Sequence, residues 1–306
     1  MPSMGMFNED TPHLDYIEFL WSKLDKIKVD FSTTSGPHPS SDFGRDQAAL
    51  REFSGYVSAL ELIACSLDHL RGLRQLVGNE PKGFKHWRLQ TPWTLLRAAH
   101  EMASQSIWLS SPNDQRVRIE RLLQFMWDDA YQDANTQLQV LNPRKRKARL
   151  DLSQAEQVFD KIALPWYKDG KTQNRIKTPI SFSDCVYSAA ETSGIVQPRT
   201  AVGFWRTASA YAHGRSWANR YVAILIDLGD GTQGWKPDYR VMAVYITMVL
   251  NTVVSHCTRR TFDVATTAIG TGRSASFDLS RQKVRNNTPY CWQRCSRSQK
   301  GAAAWN

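Results

Sequence analysis

Cysteine is scarce in this chain, and its placement excludes a bridged scaffold. Cys65, Cys185, Cys257, Cys291 and Cys295 are odd in number and scattered, unlike the sets that staple small secreted domains. Cys291 and Cys295 offer only two zinc ligands, and His69, His86 and His256 have no ligand spacing, so no metal site is expected. A long hydrophobic run is also missing. The most apolar stretch, Val241 to Val254, is broken by Tyr245, Thr247, Asn251 and Thr252 and reads as a buried helix, not a membrane span. The opening MPSMGMFNED has neither the basic nor the apolar segment of a secretion signal, so the expected location is the cytoplasm. DLGDGTQG, Asp227 to Gly234, lacks the Lys-Ser/Thr and the helix that a phosphate loop needs, and it reads as a turn. No cofactor is expected. Acid is nearly absent from one region: between Thr271 and Asn306 only Asp278 offsets seven Lys and Arg. That tail holds +6 of the formal +10 charge, a balance compatible with nucleic acid as a partner.

Helical periodicity fills most of the 306 residues. Leu14, Ile17, Leu20, Trp21 and Leu24 form one stripe in 12–30, and a Gly/Pro/Ser loop follows. Tyr56, Leu60, Ile63, Leu67 and Leu70 recur at helical steps within a long helix expected from Asp46 to Val77. Thr91-Pro92 is a helix start, with Thr91 as cap, and Ser111-Pro112-Asn113-Asp114 repeats the signal with Ser111 as cap. The two helices that follow these starts read as an antiparallel pair. Further helices are expected at Ser153–Ala163, at Ser183–Thr192 with Ser183 as cap, at Arg199–His213 and at Asp238–Ala268. Tyr221–Leu228 reads as one strand or an extended connector. With no repeat and no alternating strand–helix pattern, the fold class is all-α, a helical bundle with at most one short strand. Its main domain spans 46–269. A helix-and-loop appendage, 1–45, precedes it, and a basic tail, 270–306, reads as disordered.

The segment FWRTASAYAHGRSWA, Phe204 to Ala218, carries the most chemistry. On a helix, Arg206, Ser209 and His213 share one face, while Trp205, Ala208 and Ala212 lie on another. Ala208, Ala210, Ala212 and Gly214 are small enough to let a second helix approach. A guanidinium binds phosphate oxygens in a fork, and an imidazole moves protons near neutral pH. The same residues also have a structural reading: His213-Gly214 is how a helix ends, with Gly in a left-handed turn and a cation at the carbonyl end of the dipole.

Arg206 followed by six residues and His213, on a late helix of an all-α chain, resembles the signature of HEPN-type (higher-eukaryote and prokaryote nucleotide-binding) domains. TLLRAAHEMASQSIWL, with Arg97 and Glu101 one turn apart, resembles the earlier helix of uncharacterised bacterial members, and the WR…S…HG form resembles one in hypothetical actinobacterial proteins. The likeness extends loosely over 55–260. It implies a homodimer with the Arg–His pairs at the interface, and a metal-independent endoribonuclease of toxin–antitoxin or phage-defence type, with an antitoxin or regulator as a further partner. Arg206 and His213 would be catalytic, with Ser209, Glu101 and Arg97 supporting them. One position departs from the pattern: active members usually carry Asn, Asp or His after the arginine, and here Thr207 stands there. A non-catalytic module binding nucleotide, RNA or a partner protein is the alternative.

Two more features bear on RNA. Arg97 and Glu101 have the spacing of an ion pair, which reads either as a structural salt bridge or as Glu101 orienting Arg206 or His213 across the bundle. Arg144, Lys145, Arg146, Lys147 and Arg149 form a basic run suited either to a solvated helix start or to phosphate contacts. In the tail, Tyr290, Trp292 and Trp305 interleave with cations in the manner of single-strand binders.

Overall fold

In the computed structural model, residues 12–27, 37–50, 55–77, 90–140, 153, 156–157, 159–167, 169–229 and 232–259 are described. The helices are α1 (Pro12–Leu24), α2 (Asp42–Leu50), α3 (Gly55–Val77), α4 (Thr91–Ser110), α5 (Gln115–Val140), α6 (Gly170–Ile176), α7 (Phe182–Ser193), α8 (Pro198–Ala212) and α9 (Tyr239–Arg259). Residues 159–163 are also helical. Among the described residues the fold is all-α apart from one hairpin, β1 (Ala223–Gly229) with β2 (Thr232–Pro237).

The main core forms where apolar stripes at three- and four-residue steps meet. Leu67, Leu70 and Leu73 of α3 face Leu96, Ala99 and Ala103 of α4, and α7 and α8 add Val186, Ala190, Ala201 and Ala208. α9 supplies Met242, Tyr245, Ile246, Val249, Leu250 and Val253. Its window Arg240–Cys257 is long and apolar enough to cross a membrane, yet half of it is buried in this core. α1 is not the separate appendage that its sequence position implied. Ile17, Leu20, Trp21 and Leu24 are buried in the same core, where α1 packs on α9. Each such side chain contributes about 1.5–3 kcal/mol by leaving water, enough to hold a short helix in place.

α4 and α5 do not run together as the expected pair. The chief neighbour of α4 is α3. α5 enters a second cluster, in which Ile119, Leu122, Leu123 and Trp127 pack with Leu50, Phe159, Ala163 and Ile176. There Arg118 forms a buried fork with Asp46, at 2.7 and 2.9 Å, and its Nη1 donates to the carbonyls of Pro112 and Asn113 at 2.9 Å each.

Three helix starts differ from the sequence reading. Thr91 is already inside α4; Gln90 precedes it and provides no side-chain cap, while Pro92 occupies the first turn. Ser111 closes α4, its N–H bonding Ile107 O at 2.8 Å, so Asp114 caps α5 instead by accepting from Arg116 N at 2.8 Å. Ser181, not Ser183, caps α7, because that helix begins at Phe182. The long helix expected from Asp46 is described as α2 and α3, with 51–54 outside the described residues. The second strand was unforeseen. β2 reads TQGWKP, and its Gly and Pro mask any alternation. It pairs antiparallel with β1, Leu225 opposite Trp235, with an irregularity between Asp227 and Gly229.

Candidate functional site

α8 is fixed from below by aromatic stacking. Phe204 lies on Tyr245 with centroids 5.2 Å apart and planes 10° from parallel. Trp93 of α4 stacks on both Tyr211 and Tyr245, at 5.7 and 5.6 Å. Ala208 and Ala210 are buried, so the small-residue face is where α8 meets its neighbours. Thr207 also turns inward, its hydroxyl donating to Gly203 O at 2.9 Å, and takes no part in the outer face.

The end of α8 is a full left-handed cap. Gly214 has φ +66°, its N–H bonds Tyr211 O at 3.0 Å, and Arg215 N bonds Ala210 O at 2.8 Å. This turn aims the chain back past the helix. Ser216–Ala218 then form a 3-10 turn, and a single helical turn, Asn219–Val222, leads into β1. The Tyr211 hydroxyl donates to Asn219 Oδ1 at 2.6 Å and ties this return to α8. Burial pushes the Tyr211 phenol up to about 12, so it stays protonated and able to donate.

Between the outer face of α8 and the returning chain lies an open pocket of about 670 Å3. It is lined by Trp205, Arg206, Ser209, Ala210, His213, Arg215 and Trp217. The structure therefore brings Arg206, Ser209 and His213 to one surface. Among the described residues the lining contains two guanidiniums and an imidazole and no carboxylate. None of these three groups has a hydrogen bond or ion pair among the described residues, in contrast to Arg97, Arg116 and Arg118. Unneutralised cations around an open cavity favour an anion there.

Glu101 forms the structural ion pair with Arg97, the first of its two readings. Its Oε1 accepts from Arg97 Nε at 2.9 Å and from the Trp205 indole N–H at 2.7 Å, and it lies 2.9 Å from Arg97 Nη2 in the ion pair. It is bonded to neither Arg206 nor His213, because α8 presents those residues on its outer side and Trp205 on the side toward α4. Glu101 and Arg97 thus reach the pocket only through Trp205. The basic run Arg144, Lys145, Arg146, Lys147 and Arg149 and the tail from 270 onward lie outside the described residues. Arg215 and Trp217 are pocket residues that the sequence reading passed over. The quoted segment contained both, but helical spacing cannot place residues beyond a reversing turn. Among the described residues no three of His, Cys, Asp and Glu gather as metal ligands would.

Fold and site together define a helical-bundle protein with an open cationic pocket at the end of one helix. No family model matches the chain, and no curated protein or solved structure matches it.

Proposed function

We propose that this protein is a HEPN-like, metal-independent endoribonuclease with Arg206 and His213 as its catalytic residues. The observation that carries the reading is their shared position on the outer face of α8, in one pocket with Arg215 and, among the described residues, no carboxylate. Arg206 and His213 stand about 10 Å apart along the helix axis, close to two turns, with Ser209 between them.

RNA carries its own nucleophile. The 2′-oxygen attacks the adjacent phosphorus, the 2′-O–P bond forms and the P–O5′ bond breaks. The 2′-proton goes to a base, the leaving 5′-oxygen takes a proton from an acid, and no water is consumed. The products are a 2′,3′-cyclic phosphate and a 5′-hydroxyl. His213 performs one of the two proton transfers. Arg206 holds the non-bridging oxygens as charge builds on them. A homodimer would bring a second imidazole for the other transfer. DNA, lacking the 2′-hydroxyl, is not cleaved.

The test is cleavage of RNA by purified protein in EDTA, wild type against His213→Ala, with matched circular dichroism and melting. Wild type should produce cyclic-phosphate ends and the variant should lose about a hundredfold or more in rate. Equal cleavage by both, or none by either across several RNAs, would sink the ribonuclease reading. One observation favours a second reading, a binding module without catalysis: a single chain places one imidazole in the pocket, whereas the reaction needs both an acid and a base. Salt-sensitive RNA binding untouched by His213→Ala, without cleavage, would select it.

A further inference from the structure

Trp217 stands out in the pocket because it is large, aromatic and 44 % exposed while its backbone is firmly held. Ala218, the next residue, and Val222, one short helical turn on, are 0 % and 1 % exposed. Ala218 N bonds Arg215 O at 3.2 Å, and Asp238 N bonds Val222 O at 2.8 Å. The Tyr211–Asn219 bond ties the same turn to α8. The indole meets Tyr221 in a T-shaped contact, 5.9 Å between centroids at 84°. The exposed ring is therefore a supported platform and not a loose side chain.

The sequence around it, HGRSWANRY from His213 to Tyr221, alternates cations with aromatics. The pocket repeats this in space, with Arg206, His213 and Arg215 lining the same cavity as Trp217. An aromatic face beside unpaired guanidiniums matches a base beside its phosphate. A base in a duplex has both faces covered by its neighbours, so only an unpaired base offers one to a protein ring.

We infer that this pocket takes an unpaired nucleotide, its base stacked on Trp217 and its phosphate held by Arg206 and Arg215. The inference rests on the proposed function only in placing the substrate at this same pocket. It specifies what that function leaves open: the substrate is single-stranded, and Trp217 and Arg215 select it.

Binding to fluorescently labelled 2′-O-methyl RNA of mixed sequence separates the two ideas, because this probe binds but cannot be cleaved. Three probes of equal length are compared by anisotropy in EDTA: the single strand, its duplex with the complement, and a single strand with abasic sites. Wild type should prefer the single strand over both others. Trp217→Ala should weaken single-strand binding about five- to a hundredfold, the range expected for one lost stacking contact, and should leave abasic binding unchanged. Trp217→Phe should restore most of the affinity. Trp217→Leu, which keeps apolar bulk without an aromatic face, should not, and its melting temperature serves as the folding control. Arg215→Ala should weaken all three probes and flatten the salt dependence. Duplex binding as tight as single-strand binding, or Trp217→Leu binding like wild type, would overturn the inference. Either result can occur with cleavage intact, and the predicted pattern can occur without cleavage, so the two proposals fail separately.

Discussion

Gly214 decides where His213 and Arg215 point, and its role is one of backbone geometry alone. At φ +66° an L side chain is strained, yet a Cβ there would meet nothing within 4 Å. Gly214→Ala should therefore cost about 1–2 kcal/mol through the left-handed conformation and nothing through clash. Gly214→Asn should cost less, since asparagine tolerates that region. Chemical denaturation of the three proteins checks the order. An alanine variant as stable as wild type would mean the cap is not formed. If the pocket is the site proposed, both variants should lose RNA affinity in the same order, because the turn carries Arg215 and Trp217. The helix-ending reading of His213-Gly214 and the functional reading are thus not rivals: the glycine stops the helix, and stopping it there creates the pocket.

At the scale of elements, α8 is held to α4 by one charged acceptor. Glu101 is 8 % exposed and receives Arg97 and the Trp205 indole together. Removing it in Glu101→Ala should cost about 2 kcal/mol, the value of a hydrogen bond to a charged group whose partners are left behind. Glu101→Gln keeps an oxygen for Trp205 and should cost about half as much. Because Trp205 precedes Arg206, Glu101 is a positioning residue; its alanine variant should lose pocket binding of the single strand and the glutamine variant should recover most of it. Equal binding by both variants and wild type would confine Glu101 to stability. This contact shows what the sequence could tell. The stripe through Leu67 and Leu70 announced α3, Thr91-Pro92 announced α4, and the face of Arg206, Ser209 and His213 was readable, since a helix fixes which residues lie together. The partner of Glu101 was not readable, because it depends on how α8 rotates against α4, which is set by Phe204 and Tyr211 stacking on residues of other helices. Arg215 and Trp217 were hidden for the same reason, lying past a turn whose direction comes from a φ angle. β2 escaped because a strand of an isolated hairpin buries no regular face: Leu225 and Trp235 are 47 % and 42 % exposed.

For the whole molecule, the core that supports the site contains a titratable group. His100 is 2 % exposed on α4, with Nδ1 3.2 Å from the Tyr245 hydroxyl and its ring edge-on to Tyr245 at 5.7 Å. Burial lowers its pKa from 6.5 to about 3, so it is neutral in the fold. In the unfolded chain it titrates near the ordinary value. Between those limits the unfolded state binds the extra proton, and stability must fall as the pH drops. The contribution is complete above pH 6.5 and lost progressively toward pH 3. From pH 7 to pH 5 the loss should be about 2 kcal/mol. Urea unfolding at the two pH values measures it, and His100→Gln, which does not titrate, should show a correspondingly smaller loss. Identical losses would mean that His100 accepts its proton within the folded core. Tyr245 stacks in turn under Phe204, so the acid-sensitive contact lies directly beneath α8. If the pocket acts as proposed, a loss of RNA binding or cleavage toward pH 5 therefore has a structural source, the loosening of the core around His100, beside any effect in the pocket itself. The His100→Gln variant separates them: whatever part of the acid loss persists in it belongs to the pocket.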